Sequence, residues 1–432
     1  MNNFRENAKE YRRRGQYDKA LILYKNIIKD YEIKELDNWL GWEYADTLKK
    51  CGELDSAIEV CKAIYKKDNN FKYGKDLLAW CLYEKFFRNE DIVNIIRLED
   101  IAKFIINIVE RDGDRTPYNK VVIRMINKFK KPFNSQKILK WLQKVDINYL
   151  SNEPIKYKVK DGKYLECASP FEEWYFLYCK ALYNNNKYKE CLEYIDKAFK
   201  KVNKFHNSYD VWLKRLEYLS LESMGNVKEA IEKVNILIKS NEVWIFYYDL
   251  AKMHMLLNEN NKAIFYLSRA LLFNGEDKAK INVYETMGQV LLEGNRYKEA
   301  KMHLLFGKQI RLKEGWKISD IIKTELEEVD KNYHYEIGIS NLKSDLIKFW
   351  KNELLNYNVD RNIGEIITIG SNKKYGFIKG DNRNYYFKRS SVIDSKFIKI
   401  GMKVSYRVKK GFDIKKNEES FEAIEILITE DI

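Results

Sequence analysis

Aromatic and basic residues lie close together near the end of the chain, and their types suit contacts with nucleobases and phosphates. Tyr375 and Phe377 flank Gly376, and on a strand two residues so spaced point to the same face. Exposed rings on one face offer platforms on which bases stack. Neighbouring lysines and arginines can neutralise phosphates, which makes binding tolerant of sequence and sensitive to salt. The candidate residues are Lys373, Lys374, Tyr375, Phe377, Tyr386, Lys388 and Arg389.

Short strands must position these side chains. From Arg361 onward, polar or Gly-containing turns separate the alternating runs GEIITIG, YGFIKG, NYYFKRS, MKVSYRVKK and FEAIEILI. Five short runs over a few tens of residues predict a small closed β-barrel. Residues 361–416 carry 15 Lys and Arg against 4 Asp and Glu, whereas residues 417–432 carry 6 acids and no Lys or Arg. We therefore predict a separate β-barrel domain over residues 361–432.

The order of motifs in this segment resembles that of a cold-shock domain. The matching stretches are Gly364-Glu365-Ile366-Ile367, Lys373-Lys374-Tyr375-Gly376-Phe377-Ile378, Tyr385-Tyr386-Phe387-Lys388-Arg389-Ser390 and Gly401-Met402-Lys403-Val404. The resemblance implies a five-stranded OB-type barrel that binds single-stranded RNA or DNA, and it covers residues 361–432 alone. Tyr386 would add a third ring beside Tyr375 and Phe377, and Tyr385 and Phe387 would face the barrel interior.

Some of the ring positions of that family differ here. Thr368 stands where the family has an aromatic residue on its first strand, and Lys388 and Arg389 replace the His and Phe that close its second motif. The exchange removes stacking surfaces and adds positive charge. We therefore expect a domain that depends more on electrostatic attraction, or a degenerate barrel that docks a protein instead.

A different pattern recurs through the first part of the chain. A small residue is followed by another twelve positions on, and by a small or aliphatic residue seven positions beyond that, as in Ala8, Ala20 and Ile27. A polar or Gly-containing turn precedes the second position each time. The further copies are Ala45, Ala57, Ile64; Cys179, Cys191, Ala198; Tyr218, Ala230, Leu237; Ala251, Ala263, Ala270; and Gly288, Ala300, Gly307. Small residues allow two antiparallel helices to cross closely, so the pattern predicts helix pairs.

This spacing resembles the tetratricopeptide repeat, as in Ala8, Tyr11, Gly15, Tyr17 and Ala20. The resemblance implies an α-solenoid whose first helices line a groove that binds a protein partner. Such basic and aromatic residues suit an acidic-aromatic peptide or stacked single-stranded bases, although the rings also suit packing between helices. By the family's spacing, the groove candidates are Arg5, Lys9, Arg12, Trp39, Trp42, Phe176, Lys180, Tyr183, Trp212, Arg215, Tyr248 and Lys252.

The repeat is interrupted in the middle of the chain. We predict repeats over residues 1–90 and 171–315, an irregular helical segment over 91–170, and a capping helix with a connector over 316–360. Within the interruption, the run IKYKVKDGKYLECA predicts a hairpin near residues 155–167 with a type I′ turn at Asp161-Gly162. The hairpin is interpreted either as a structural plug between the repeat blocks or as a docking device.

Composition limits the class of protein further. The chain has 432 residues, 45% hydrophobic, with 19 Gly, 4 Pro and a net charge of +14, which excludes collagen-like chains, disfavours an all-β protein and favours anionic partners. The six cysteines form no CxxC pair, and no apolar run approaches the roughly 20 residues of a membrane span. We expect a cytoplasmic protein with reduced thiols.

No phosphate-binding, zinc-protease or nucleophile-elbow motif is present, and the four histidines lack metal-ligand spacing. We therefore expect no metal, no cofactor and no enzymatic activity. The sequence predicts a mainly α adaptor that binds a protein through its solenoid and single-stranded nucleic acid, RNA before DNA, through its barrel. Three alternatives remain: a pure protein scaffold, a solenoid that is itself the main nucleic-acid site, and an enzyme with an unrecognised site.

Overall fold

Helices dominate the computed structural model, and a small β-barrel follows them. The model describes residues 2–29, 31–88, 94–111, 116–159, 161–334, 336–338, 340–357, 360–371, 373–393, 398–413 and 418–429. The predicted fold class, a tetratricopeptide-like solenoid with a C-terminal five-stranded barrel, is confirmed. The chain divides into two compact units, Met1–Ser220 and Leu221–Ile432. Within the described ranges, no helix combines the length and the apolar character needed to cross a bilayer.

The first unit is helical apart from one hairpin. Its elements are α1 (Asn2–Arg13), α2 (Tyr17–Ile28), α3 (Asn38–Lys50), α4 (Leu54–Lys67), α5 (Lys72–Phe87), α6 (Ile95–Ile108), α7 (Pro117–Phe129), α8 (Ser135–Leu142), β1 (Ile155–Lys158), β2 (Tyr164–Cys167), α9 (Pro170–Asn184), α10 (Tyr188–Lys201) and α11 (Tyr209–Ser223), which ends beyond Ser220. One core cluster of buried side chains extends from Ala8 to Leu216 and includes Trp141 of α8.

The second unit contains both helices and the barrel. Its helices are α12 (Val227–Ser240), α13 (Trp244–Leu256), α14 (Asn260–Leu272), α15 (Ile281–Glu293), α16 (Tyr297–Lys313), α17 (Asp320–Asn332) and α18 (Leu342–Asn356). Its strands are β3 (Asn362–Ile369), β4 (Tyr375–Lys379), β5 (Asn384–Lys388), β6 (Lys403–Asp413) and β7 (Glu418–Ile428).

The small residues of the repeat lie where paired helices cross. Ala8 and Ala20 are fully buried between α1 and α2, and Ala45 and Ala57 between α3 and α4. At Gly288 of α15 an added Cβ would lie 2.7 Å from Leu304 of α16, so these two helices also cross closely. A larger side chain at these positions would force the two helices apart.

A left-handed residue ends the first helix of each repeat. It always lies five positions before the second small residue, and glycine or asparagine tolerates this conformation best. The six residues, with φ between 56° and 86°, are Gly15, Gly52, Asn186, Gly225, Asn258 and Asn295. The amide that follows each one donates back across the turn, as Gln16 N–H does to the Tyr11 carbonyl at 2.9 Å. This hydrogen bond is that of a Schellman motif, which stops the helix and reverses the chain.

The hairpin in the first unit has a different turn from the predicted one. Val159 N–H donates to the Lys163 carbonyl at 2.9 Å, and Gly162 N–H donates to the Val159 carbonyl at 2.9 Å. Gly162 has φ +76°. The type I′ assignment is therefore wrong, because three residues, rather than two, connect Val159 to Lys163.

The barrel is closed in the strand order β3-β4-β5-β7-β6. Neighbouring strands are antiparallel except for β5 and β7, which run parallel. Alternate residues fill the interior, where Ile366, Ile378, Phe387, Val404 and Ile426 are almost completely buried. The residues between them point outward, so the strands present a second, solvent-facing row of side chains.

Candidate nucleic-acid interface

Five strands contribute to one outward-facing row across the barrel. Thr368 of β3 lies opposite Phe377 of β4, Phe377 lies opposite Tyr386 of β5, and Tyr386 is paired with Glu422 of β7. Glu422 in turn lies opposite Lys409 of β6. The row therefore runs from a hydroxyl through two rings to an acid and a base.

Tyr375 joins Phe377 and Tyr386 in a cluster of three rings. The Tyr375 and Tyr386 rings are nearly parallel at a centroid distance of 6.0 Å, and the Phe377 ring lies edge-on to Tyr386 at 5.9 Å. Each of the three side chains is between 36% and 38% exposed, which is high for rings that contact one another. Together they form a solvent-facing aromatic surface on β4 and β5, which we call the ring cluster.

Two glycines determine how the ring cluster is seated. At Gly376 an added Cβ would lie 2.6 Å from the Phe387 ring and closer still to the Thr368 carbonyl, so only glycine lets β4 lie against both. At Gly370 an added Cβ would lie 2.6 Å from the Tyr375 ring, which therefore rests directly on the backbone. The Tyr375 ring thus packs on the backbone at Gly370, and Gly376 between the two rings of β4 packs on Phe387 of the barrel core.

The predicted basic residues flank the ring cluster but differ in their surroundings. Lys373 is exposed and has φ +54°, and its N–H donates to the Gly370 carbonyl at 2.7 Å. Lys374 is exposed, and its carbonyl accepts from Arg389 N–H at 2.8 Å, which holds the β3–β4 loop beside the end of β5. Burial lowers the pKa of the half-buried Arg389 guanidinium. Lys388 lies opposite Tyr375 across β4 and β5, and the other three cations lie in the chain next to these two strands.

Lys388 has an acidic partner that sequence reasoning missed. Its Nζ lies 3.2 Å from the Glu422 carboxylate. The run FEAIEILI was predicted to be a barrel strand, and it forms most of β7, which lies between β5 and β6. The alternation of FEAIEILI predicts that Glu422 lies on the outer face of the barrel. It does not predict that Glu422 lies beside Lys388.

The acids of β7 also reach the far side of the barrel. The Glu425 carboxylate lies 3.2 Å from Arg407 Nη1, and Arg361 Nε donates to Ser405 Oγ at 2.8 Å. Burial lowers the pKa of Arg361 to about 10. Residues 361–432 together carry 15 Lys and Arg against 10 Asp and Glu. The excess positive charge lies outside β7, because β7 contains no Lys or Arg.

The groove candidates of the first two repeats are held by ion pairs. Arg5 Nε donates to Glu43 Oε2 at 2.9 Å, and Lys9 Nζ lies 3.8 Å from the same carboxylate. The hydrogen bond that Arg5 donates to Glu43 raises the pKa of Arg5. Arg12 Nη2 lies 2.7 Å from Asp46, and its guanidinium lies over the Trp42 ring at 5.1 Å. These cations are therefore partly neutralised within the chain.

Trp39 and Trp42 belong to an exposed group of rings. Trp39 lies 5.2 Å from Phe71 and 5.1 Å from Tyr73 between centroids, and Trp42 lies 6.1 Å from Trp39. Trp39 is 48% exposed and Tyr73 is 54% exposed. The structure thus brings two predicted groove residues together with two that were not predicted, Phe71 and Tyr73.

The later groove candidates mainly contact neighbouring helices. Phe176 stacks on Tyr209 at 4.3 Å, and the Lys180 ammonium lies over the Phe133 ring at 4.4 Å. Tyr183 contacts Tyr188 at 5.6 Å. Trp212 and Arg215 are half-buried on α11.

In the second unit, Tyr248 Oη lies 3.2 Å from the Thr286 hydroxyl, and Lys252 lies over the Tyr248 ring at 5.4 Å. Packing between helices accounts for most of these rings.

The chain is similar to one protein family and to several solved structures. Residues 211–335 match the family described as a domain of unknown function (DUF7017). A tetratricopeptide repeat protein from Parabacteroides merdae is similar over 76% of this chain and 98% of its own, at 13% identity and a TM-score of 0.35. The human IFIT1 dimer with PPP-AAAA is similar over 81% of this chain and 80% of its own, at 13% identity and a TM-score of 0.39. No curated protein matches the chain.

Proposed function

We propose that the chain is a non-enzymatic adaptor that binds single-stranded nucleic acid through its barrel and a protein partner through its solenoid. The observation that carries the proposal is the ring cluster: Tyr375, Phe377 and Tyr386 lie in mutual contact, face solvent and are flanked by basic residues. Every base has a π-face, so such a surface accepts bases with little regard to their identity.

The strand order supports a cold-shock-like, OB-type barrel. Counting strands within the barrel, the order is 1-2-3-5-4 with closure between 4 and 1, and strands 3 and 5 are parallel. Oligonucleotides contact the face of strands 2 and 3 in OB folds, and here these are β4 and β5, which carry the ring cluster. The exposed Thr368 extends this face without a further ring.

The proposed adaptor combines weak nucleic-acid binding by the barrel with partner binding by the solenoid. Three rings and a few cations supply modest affinity, and Glu422 beside Lys388 lowers it. When the solenoid holds a partner that is bound to the same RNA, the barrel meets its ligand at a high effective concentration. The exposed Trp39 and Tyr73 are the side chains through which we propose that the solenoid contacts its protein partner.

The test uses the full chain and a labelled single-stranded oligonucleotide, as RNA and as DNA of the same sequence, in fluorescence anisotropy. Tyr375→Ala/Phe377→Ala should weaken binding at least tenfold, since each stacked base contributes about 1–3 kcal/mol. Ile363→Ala, at an exposed apolar residue of β3 with no part in the cluster, is the control. With three phosphate contacts, the logarithm of the association constant should fall against the logarithm of salt with a slope of about −2.

A protein-docking barrel is the alternative, and the Lys388–Glu422 ion pair in the outward row favours it. In that case the chain would not bind the oligonucleotide. Strong binding that the ring substitutions leave unchanged would instead make the solenoid the main nucleic-acid site.

A further inference from the structure

The hairpin of the first unit has one apolar face, which is exposed except at the half-buried Cys167. Ile155 lies opposite Cys167, and Tyr157 lies opposite Leu165, so these four side chains share a face. Val159 continues the same face by alternation. Tyr157 is 54% exposed and Leu165 is 56% exposed. We call Ile155, Tyr157, Val159, Leu165 and Cys167 the apolar hairpin face.

The opposite face of the hairpin is polar and already has contacts. Lys156 lies opposite Glu166, and Lys158 lies opposite Tyr164. The Glu166 carboxylate lies 3.5 Å from Lys156 Nζ and 3.3 Å from Lys204 Nζ. Glu166 also lies 3.5 Å from His206 Nε2. Strand β2 is therefore tied to the segment between α10 and α11 through its polar face.

The outer edge of β1 is open for backbone pairing. Val159 N–H donates to the Lys163 carbonyl at 2.9 Å. In an antiparallel pair every second residue is hydrogen-bonded to the partner strand, so Tyr157 and Ile155 also direct their N–H and C=O groups toward β2. The N–H and C=O groups of Lys156 and Lys158 consequently point away from β2. Among the residues that the structure describes, none pairs its backbone with this edge. An unpaired edge of this kind is a template for a further strand.

A third strand would supply what the hairpin lacks. Two strands alone are marginally stable in water, and three with a shared apolar face are much better. We propose that the edge of β1 is the docking site for an extended segment of a partner protein in which acidic and apolar residues alternate. Its backbone would pair with Lys156 and Lys158, and its apolar side chains would extend the apolar hairpin face beside Tyr157.

Charge decides between an acidic partner and a second copy of this chain. Lys156 and Lys158 both project on the polar face of β1, so acidic residues at alternate positions of an added strand would lie directly beside them. Two copies paired through their β1 edges would instead place these lysines next to their own counterparts. Like charges opposite each other destabilise a strand pair, which disfavours self-association at this edge.

The experiment measures binding of a fluorescein-labelled peptide of alternating Glu and Val, about eight residues long as in ordinary strands, to the full chain. A Lys–Val peptide of equal length is the charge control. We expect the Glu–Val peptide to bind at least tenfold more tightly, and Lys156→Glu/Lys158→Glu to reverse this preference. Tyr157→Ser should weaken binding of the Glu–Val peptide about tenfold, whereas Tyr164→Ser, on the opposite face, should leave it unchanged.

Removal of the edge donor separates backbone pairing from charge. Lys156→Pro lacks the N–H that faces the added strand, and it should bind more weakly than Lys156→Ala, which retains it. Equal affinity for the two peptides, or no effect of Tyr157→Ser, would overturn the proposal. A dimer in sedimentation that Tyr157→Ser abolishes would show that a second copy occupies the edge. Nucleic-acid binding plays no part in this site, so the peptide experiment and the oligonucleotide experiment succeed or fail separately.

Discussion

At the scale of single residues, Glu422 has the largest effect on the charge beside the ring cluster. It lies in the same outward row as Phe377 and Tyr386 and holds the Lys388 ammonium at 3.2 Å. A phosphate that approached Lys388 would have to displace this carboxylate and would be repelled by it. If the barrel binds nucleic acid as proposed, this carboxylate weakens the binding.

Glu422→Gln should tighten binding of a single-stranded oligonucleotide by about threefold to tenfold, because Lys388 is released and a like charge is removed. Glu419→Gln, an exposed acid of the same strand at the far end of its pairing with β6, should have less effect. Fluorescence anisotropy at low and high salt measures both. Weaker binding by Glu422→Gln would contradict a role for Lys388 in phosphate contact.

Gly376→Ala should lower the free energy of unfolding of the barrel by about 1–3 kcal/mol, because the added methyl group meets the Phe387 ring and the Thr368 carbonyl. Gly411→Ala in β6 is the control, since its nearest neighbour is the Ser420 hydroxyl at 3.0 Å, which can rotate away. Urea unfolding followed by tyrosine fluorescence compares the two. Equal stability would show that β4 has room to move.

The ring cluster was predictable from sequence because it depends on alternation within two adjacent strands. Tyr375, Phe377 and Tyr386 needed only the strand period to be placed on one face. The partners of the cations were not predictable, because Arg5 and Glu43 lie 38 positions apart, and Glu422 reaches Lys388 only through barrel closure. Local periodicity predicts the face on which a side chain lies, but it does not predict the tertiary contacts of that side chain.

At the scale of elements, the repeat helices are defined by their ends as much as by their small residues. The spacing of alanines predicted the helix pairs, and the left-handed Gly or Asn five positions earlier explains where each first helix stops. The hairpin turn was harder to predict, because Asp161-Gly162 fits both a two-residue and a three-residue connection. Only the hydrogen bond from Gly162 to Val159 distinguishes them.

Helices α16 and α18 are joined by a buried histidine. Trp350 Nε1–H donates to His303 Nε2 at 2.8 Å, so the proton of the neutral ring is on Nδ1, which donates to the Glu299 carbonyl at 2.7 Å. Burial lowers the pKa of His303 from 6.5 to about 3. The ring therefore stays neutral in the fold over the range in which an unfolded histidine takes up a proton.

The second unit should accordingly lose stability as the pH falls from about 6.5 toward 3, because over this range the unfolded chain binds a proton that the folded chain does not. His303→Gln cannot titrate, so its stability should depend less steeply on pH between 7.5 and 5, although it is lower overall. Thermal unfolding at several pH values measures the difference. The same substitution at the exposed His334 is the control, and an unchanged slope in His303→Gln would refute the assignment.

At the scale of the whole molecule, the two surfaces of the proposed adaptor function lie in different compact units. The ring cluster belongs to the second unit, and the group formed by Trp39, Trp42, Phe71 and Tyr73 belongs to the first. The solenoid and the barrel were both predicted from sequence, because each has its own period. The strand order was not, because pairing of β5 with β7 joins segments that are not neighbours in the chain.

Trp39→Ala/Tyr73→Ala should leave oligonucleotide affinity within about twofold of the unmodified chain, because neither residue belongs to the ring cluster to which the proposal assigns binding. Anisotropy with the same labelled oligonucleotide tests this, and Tyr375→Ala/Phe377→Ala provides the opposite result for comparison. A tenfold loss in the Trp39 variant would identify the solenoid as the main nucleic-acid site.

Tyr386 belongs both to the ring cluster and to the short parallel pairing between β5 and β7 that closes the barrel. In the described residues the seam between β5 and β7 has one register pair, and the bridge between Val392 and Ile426 adds a second, whereas β6 and β7 share nine. We expect the barrel to breathe first along this seam, since weakly paired strands open at the lowest cost. A base stacked on Tyr386 would then hold the two strands together. Amide hydrogen exchange at Phe387 and Ala423 should therefore be slower when an oligonucleotide is bound.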